Sequence, residues 1–245
     1  MRRSIFALGV LVLVAVPVSA QTAWGPRNRV SFNVGAQFET ERLLQSFSLD
    51  EYLEPAPVTA RLPKKTLASF DGGVATNLYG PIGAGLAVSY TSNRDDGAVR
   101  AGFPHPFYFE QLRDVSGAVG VQHTELVTHL NLVYLVTSQS LDFSLSAGPS
   151  VFKIDQDLVV DVDYVEEYPY DVATFSSATT ERAKQTKVGY NVTADVTWKA
   201  SRHWGLGLLA RFSRAKVAYS TAGGGDVSEM EVGGFQAAGG IRLMY

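Results

Sequence analysis

Apolar side chains recur at every second position in eight separate stretches of this chain, and that period constrains the fold more than any other feature. An extended strand turns alternate side chains to opposite faces, so each stretch has one apolar face and one small or polar face. The pattern is clearest over 232–245. There Phe235, Ala237, Gly239, Ile241, Leu243 and Tyr245 share one parity, and Gln236, Ala238, Gly240, Arg242 and Met244 the other. The same reading gives strands near 28–39, 66–78, 82–90, 119–136, 141–148, 187–198 and 204–212. No run approaches the ~18 apolar residues of a membrane helix, although 46% of the chain is hydrophobic and glycine numbers 23. An all-β fold is expected, and without cysteine it has to close by backbone pairing alone.

Short turns are expected near Gly80, Ser138 and Ser201, and long outer loops near 41–65, 91–116, 165–181 and 220–231. Such alternation of short and long connections is the pattern of an up-and-down transmembrane barrel. At Gly148-Pro149 the apolar parity changes from odd to even, which predicts a one-residue bulge and a kinked strand running on beyond the bilayer. Its continuation, 155–171, carries Asp155, Asp157, Asp161, Asp163, Glu166, Glu167 and Asp171 with no Lys or Arg. Arg182, Lys184 and Lys187 on the returning arm are placed to face those carboxylates. A cation-collecting role near lipid phosphates is the alternative for this segment.

A soluble barrel shows the same alternation, with its apolar face turned inward. The aromatic residues decide between the two. Tyr134, Trp198, Trp204 and Tyr245 lie by the short turns, and Phe38, Phe70, Tyr90, Tyr190 and Phe212 lie toward the long loops, all on the apolar parity. From Trp204 to Phe212 is about 20 Å across a bilayer once the strand is tilted by ~40°. Two belts on one parity are what a lipid-facing surface needs and a soluble core does not.

The amino terminus supports export. Arg2 and Arg3 precede an uncharged apolar stretch, 5–18, and small residues end at Ala20, so residues 1–20 are expected to be a cleaved signal peptide and 21–245 a single barrel domain. Loss of Arg2 and Arg3 makes the mature chain more acidic than the −3 of the full sequence, which argues against a nucleic-acid partner. With this leader, the eight strands, the turn and loop alternation and the terminal Tyr245, the chain resembles the small eight-stranded bacterial outer-membrane β-barrels of the OmpA transmembrane-domain, OmpX and OmpW kind. The resemblance implies a place in the outer membrane among its lipids and lipopolysaccharide. It also implies insertion by the assembly machinery through the last strand, with Tyr245 as the signal, and outer loops open to an extracellular ligand.

Eight strands enclose a bore that side chains fill. Asp195 and Arg242 fall low on the inward parity, Asp71, His129 and Arg211 at mid-barrel, and Glu125 and Lys187 higher. Opposite charges share levels, so a network of paired charges that plugs the lumen is expected, because an unpaired charge there is costly. No motif calls for a cofactor or a metal. The leading function is therefore a non-enzymatic barrel with a structural and surface-interaction role. A narrow channel or carrier for small or apolar solutes is the alternative. A lipid-modifying enzyme is the third, weakened because neither His123 nor His129 is followed by a serine at the spacing such chemistry would use.

Overall fold

A computed structural model describes residues 26–39, 44–61, 66–218 and 229–245; the expected leader and most of the last outer connection lie outside the described residues. The described residues form ten strands: β1 (Asn28–Glu39), β2 (Leu44–Glu51), β3 (Glu54–Arg61), β4 (Thr66–Tyr79), β5 (Ile82–Pro104), β6 (Leu112–Thr137), β7 (Leu141–Glu166), β8 (Ala173–Lys199), β9 (Trp204–Ala218) and β10 (Glu229–Met244). Eight of them close a ring, because β1 pairs with both β4 and β10 while β4 to β10 each pair antiparallel with the next. The seam is well made. Phe32 stands opposite Ile241, and Asn28 and Tyr245 exchange two backbone hydrogen bonds of 2.9 Å.

On the outward parity Phe32, Val34, Val74, Leu132, Val192 and Leu208 are all exposed. A continuous apolar band around a closed barrel is a lipid-facing surface, since only closed barrels and helices satisfy every backbone group in lipid. Aromatic residues rim it as the sequence predicts. Phe38 and Phe235 stack at 6.3 Å and Tyr190 lies 6.5 Å from Phe212 at the outer edge, with exposed Tyr134, Trp198, Trp204 and Tyr245 at the other. The chain is an eight-stranded antiparallel up-and-down transmembrane β-barrel.

The outer connections differ from expectation. Segment 41–65 is largely the hairpin β2–β3, which adds to the upper part of β5 from Val58 onward. Pro55 and Pro57 lie short of that pairing, where the edge of β3 is open and tolerates residues without an N–H. Segment 91–116 is mostly the continuation of β5 and β6, whose loop proper is only 105–111, and the β7–β8 connection shrinks to 167–172. For the last connection, only the entry into β10 from Glu229 is described.

The expected bulge at Gly148-Pro149 is absent. Gly148, Pro149 and Ser150 pair without a shift against Asn191, Tyr190 and Gly189, and the first irregularity in this hairpin falls between Val159 and Asp161. Parity does not change along β7; the chemistry of its faces does. In the bilayer the inward residues are Ser144, Ser146 and Ser150 and the outward ones Leu141, Phe143 and Leu145, whereas above it Phe152, Ile154 and Leu158 point inward and Lys153 and Asp155 outward. β5 reverses in the same way. Tyr90 is its last large apolar residue outside, followed by Arg94, Asp96, Ala98 and Arg100, while Val99, Ala101 and Phe103 are buried inside.

That reversal follows from the surroundings. Lipid requires apolar groups outside, water requires polar ones, and a strand crossing from one to the other keeps its pleat while exchanging the character of its two faces. The outer extension consequently has a core of its own, in which Phe47, Val58, Phe103, Val115, Val159 and Val162 pack together. Gln45 of β2 closes it. Its side-chain amide donates to the Val159 carbonyl at 2.6 Å and accepts from the Val159 N–H at 3.0 Å, satisfying backbone groups beside the β7 bulge.

Candidate functional site

The lumen is filled in layers. Lowest, Arg29 bonds Asp142 at 2.6 Å and Lys199 lies 3.0 Å from the same carboxylate. Above it the Arg242 guanidinium pairs with Asp195, its Nε 3.2 Å from a carboxylate oxygen, and donates to Asn33 at 2.6 Å. Gly207 makes room for that guanidinium, since a Cβ there would stand 2.5 Å from Arg242 Cζ. Asn33 in turn donates to Asp71 at 2.8 Å, and Asp71 accepts from Arg211 at 2.5 Å. Arg211 also donates to Thr193 and Gln236. One connected network thus spans β1, β4, β8, β9 and β10.

On the opposite wall His129 is buried between two hydroxyls, Ser89 at 3.1 Å from Nε2 and Ser150 at 2.8 Å from Nδ1. Higher, Glu125 accepts from Gln37 at 2.9 Å and lies 3.0 Å from His123, which meets Gln156 at 2.6 Å. Beneath Arg211 a cavity of about 100 Å³, walled in part by Ser31, Asn131, Ser144 and Thr197, leaves room for water. Above Arg211 the inward faces of β7, β9 and β10 turn apolar, at the height where Glu125 stands opposite Ile154. Val127, Phe152, Ile154, Val217, Met230 and Val232 pack across the bore at the level where β7 leaves the bilayer.

Asp195 with Arg242 and Asp71 with Arg211 therefore meet at the levels expected, and His129 shares the second level without an ion pair. Glu125 and Lys187 do not come together. Lys187 stands opposite Phe152, half-buried, while Glu125 is held by His123 and Gln37. The Arg29, Asp142 and Lys199 layer and the bridging Asn33 were missed. For the layer the signal is inward parity at the turn end of the strands, readable once the lowest level is counted as part of the lumen; for Asn33 it is inward parity opposite Asp71. Outside the barrel, Asp157 pairs with Arg182 at 3.0 Å and Asp155 stands opposite Lys184. Among the described residues no group of three His, Cys, Asp or Glu side chains is placed to hold a metal ion.

A second candidate site lies at the outer apex, where the tips of β2–β3, β5–β6 and β7–β8 lock together. Glu166 accepts from Arg113 at 2.5 Å and from the Tyr52 hydroxyl at 2.9 Å, and Glu54 accepts from the Glu110 N–H at 2.9 Å. Arg113 also reaches Pro104 and Tyr170 carbonyls and lies over the Tyr164 ring. The Glu166 hydrogen bond, then burial, raise the Tyr52 hydroxyl above its ordinary pKa, and burial first raises that of Tyr164. Among the described residues, the four non-glycine positions with positive φ, Tyr52, Leu53, Glu110 and Tyr170, all lie on these tips.

No family model and no curated relative matches the chain. Among solved structures it is similar to Neisserial surface protein A, at 12% identity over 89% of this chain and 97% of that one, with a TM-score of 0.49. The attachment invasion locus protein Ail of Yersinia pestis, in complex with the heparin analogue sucrose octasulfate, matches at 10% identity over 88% and 99%, TM-score 0.41. The outer membrane protease OmpT from Escherichia coli matches at 11% identity over 91% and 99%, TM-score 0.45. The fold rests on the strand register above, and no activity is carried over from these proteins.

Proposed function

We propose that the chain is exported by a cleaved leader, 1–20, and works as a non-enzymatic barrel, 21–245, in the bacterial outer membrane, with a structural and surface-interaction role. The observation that carries this reading is the reversal of face polarity at the outer aromatic belt. It leaves the lumen closed by a charge network below and an apolar layer above, and it builds a folded extension that stands clear of the lipid. In this reading Asp71, Asp195, Arg211 and Arg242 hold the wall together, and His129 is a packed residue with both ring nitrogens engaged. Exposed Lys153, beside Leu126 at the outer belt, suits the phosphates of lipopolysaccharide. Tyr245, paired with Asn28 at the seam, suits recognition by the assembly machinery during insertion.

The test compares cells carrying the chain with cells carrying Phe107→Ser/Phe109→Ser, scored for attachment to protein-coated surfaces. Equal amounts of folded barrel, checked by heat-dependent gel mobility, with attachment lost only in the variant, support the reading. Equal attachment by both counts against it. Uptake of small solutes that depends on the chain would favour the channel alternative.

A further inference from the structure

Resting on the surface-interaction reading, we propose that the three-tip apex is a docking surface for a cationic, apolar-faced polypeptide segment. The apex presents Leu53 (103% exposed), Phe107, Phe109 (79%) and Tyr168 (84%) to solvent, with Tyr108 and Val172 beside them. Scattered apolar residues on a surface need no explanation, but a contiguous aromatic group fixed on a rigid base marks an interaction site. This base is rigid. Glu166, Arg113 and Glu54 tie the tips together, and Phe107 and Tyr168 both pack edge-on to Tyr170.

Charge selects the partner. The exposed ionisable groups around these rings are Asp50, Glu110, Asp114, Glu167 and Asp171, while Arg113, the one basic side chain of the described tips apart from His105, is buried and paired. An acidic rim around aromatic anchors attracts Lys and Arg and repels phosphate and sulfate, and Phe and Tyr faces add cation–π attraction. The chain's own membrane is excluded as occupant on two counts. β5 runs from Tyr90 at the outer belt to Pro104, roughly 35 Å of rise once tilted by about 40°, and an anionic lipid surface meets the wrong charge.

The backbone supplies an independent sign of selection for binding. Tyr52 (φ 49°) and Leu53 (φ 67°) occupy the two left-handed positions of the β2–β3 turn, where Asn and Gly are the residues that fit without strain. A fully exposed leucine held in that conformation gains nothing in packing. Strain kept at an exposed apolar side chain is what a contact residue requires.

The full chain in lipid nanodiscs is titrated with a fluorescent amphipathic Lys/Leu helix, its Glu/Leu counterpart and anionic lipid vesicles as separate probes. The Lys/Leu peptide is expected to bind, to weaken with added salt, and to lose tenfold or more in affinity against Phe107→Ser/Phe109→Ser. Leu53→Gly is expected to lose several-fold while melting no lower than the parent, so that unfolding does not account for the loss. Equal binding of the Glu/Leu peptide, preference for the vesicles, or unchanged affinity in both variants overturns the proposal. Cell attachment is measured in parallel. Apex-dependent attachment without peptide binding would refute the partner class alone, and attachment indifferent to the apex would refute the surface-interaction reading with it.

Discussion

At the scale of single residues the lumen depends on pairs whose halves come from distant parts of the chain. Arg211 and Asp71 are both almost fully buried and 2.5 Å apart. Removing one leaves the other charged and without compensation, which costs about 3–5 kcal/mol, whereas replacing both by neutral residues of similar volume costs much less. Arg211→Ala is therefore expected to lower stability by that amount and Arg211→Met/Asp71→Asn by well under the sum of the single changes, read from urea unfolding in lipid. An additive result would mean that the pair is not coupled. Gly207 tests the neighbouring layer. Its missing side chain is filled by an Arg242 guanidinium that Asp195 and Asn33 hold in place, so the guanidinium cannot simply swing aside. Gly207→Ala is expected to cost about 1–3 kcal/mol as an overpacked site, and less in an Arg242→Ala background. An equal cost in both backgrounds would place the effect in the backbone instead.

At the scale of strands, what was legible in the sequence depended on which physical rule was being read. Parity identified the eight barrel strands, both belts and the pairs Asp195 with Arg242 and Asp71 with Arg211, because counting from a short turn gives depth directly. The same count failed for Glu125 and Lys187, which flank β7 but stand opposite Ile154 and Phe152, one pleat apart, and Glu125 is engaged instead by Gln37 and His123. The outer extensions were misread for a different reason. A single apolar parity makes Ile154 and Leu158 of β7 resemble a register change, whereas beyond the belt water replaces lipid outside and a packed core fills the inside. The β2–β3 hairpin was hidden by its prolines, and its attachment by Gln45 joins β2 to a bulge more than a hundred residues away, which no local pattern reports. Gln45→Ala is expected to leave the Val159 N–H and C=O unsatisfied, at about 1–3 kcal/mol. The loss should be local. Hydrogen exchange is expected to accelerate across β2, β3 and the upper part of β7, with β1 and β10 unchanged; uniform acceleration would show that the extension and the barrel unfold as one unit.

At the scale of the whole molecule, closure of the lumen is a question of two barriers in series. The polar network and the apolar layer at Phe152, Ile154 and Val217 occupy successive depths of the same bore. An ion that passes one still meets the other, because apolar side chains cannot replace its hydration and Glu125, at the height of Ile154, is already engaged by Gln37 and His123. Breaking the polar layer alone should therefore destabilise the protein without opening it. In planar bilayers Arg211→Ala is expected to be as silent as the parent chain. Phe152→Gly alone is also expected to be silent, since the paired guanidinium groups below still fill the bore. Only the combination removes material at both depths, and it is the variant in which discrete openings are expected, provided gel mobility shows it folded. Steady openings in the parent, or in Arg211→Ala alone, would mean that the apolar layer does not seal and that the narrow-channel reading is the better one. Silence of the folded combination would place the seal higher, in the core closed by Gln45, and a further removal of the β2–β3 hairpin would then be the variant that conducts.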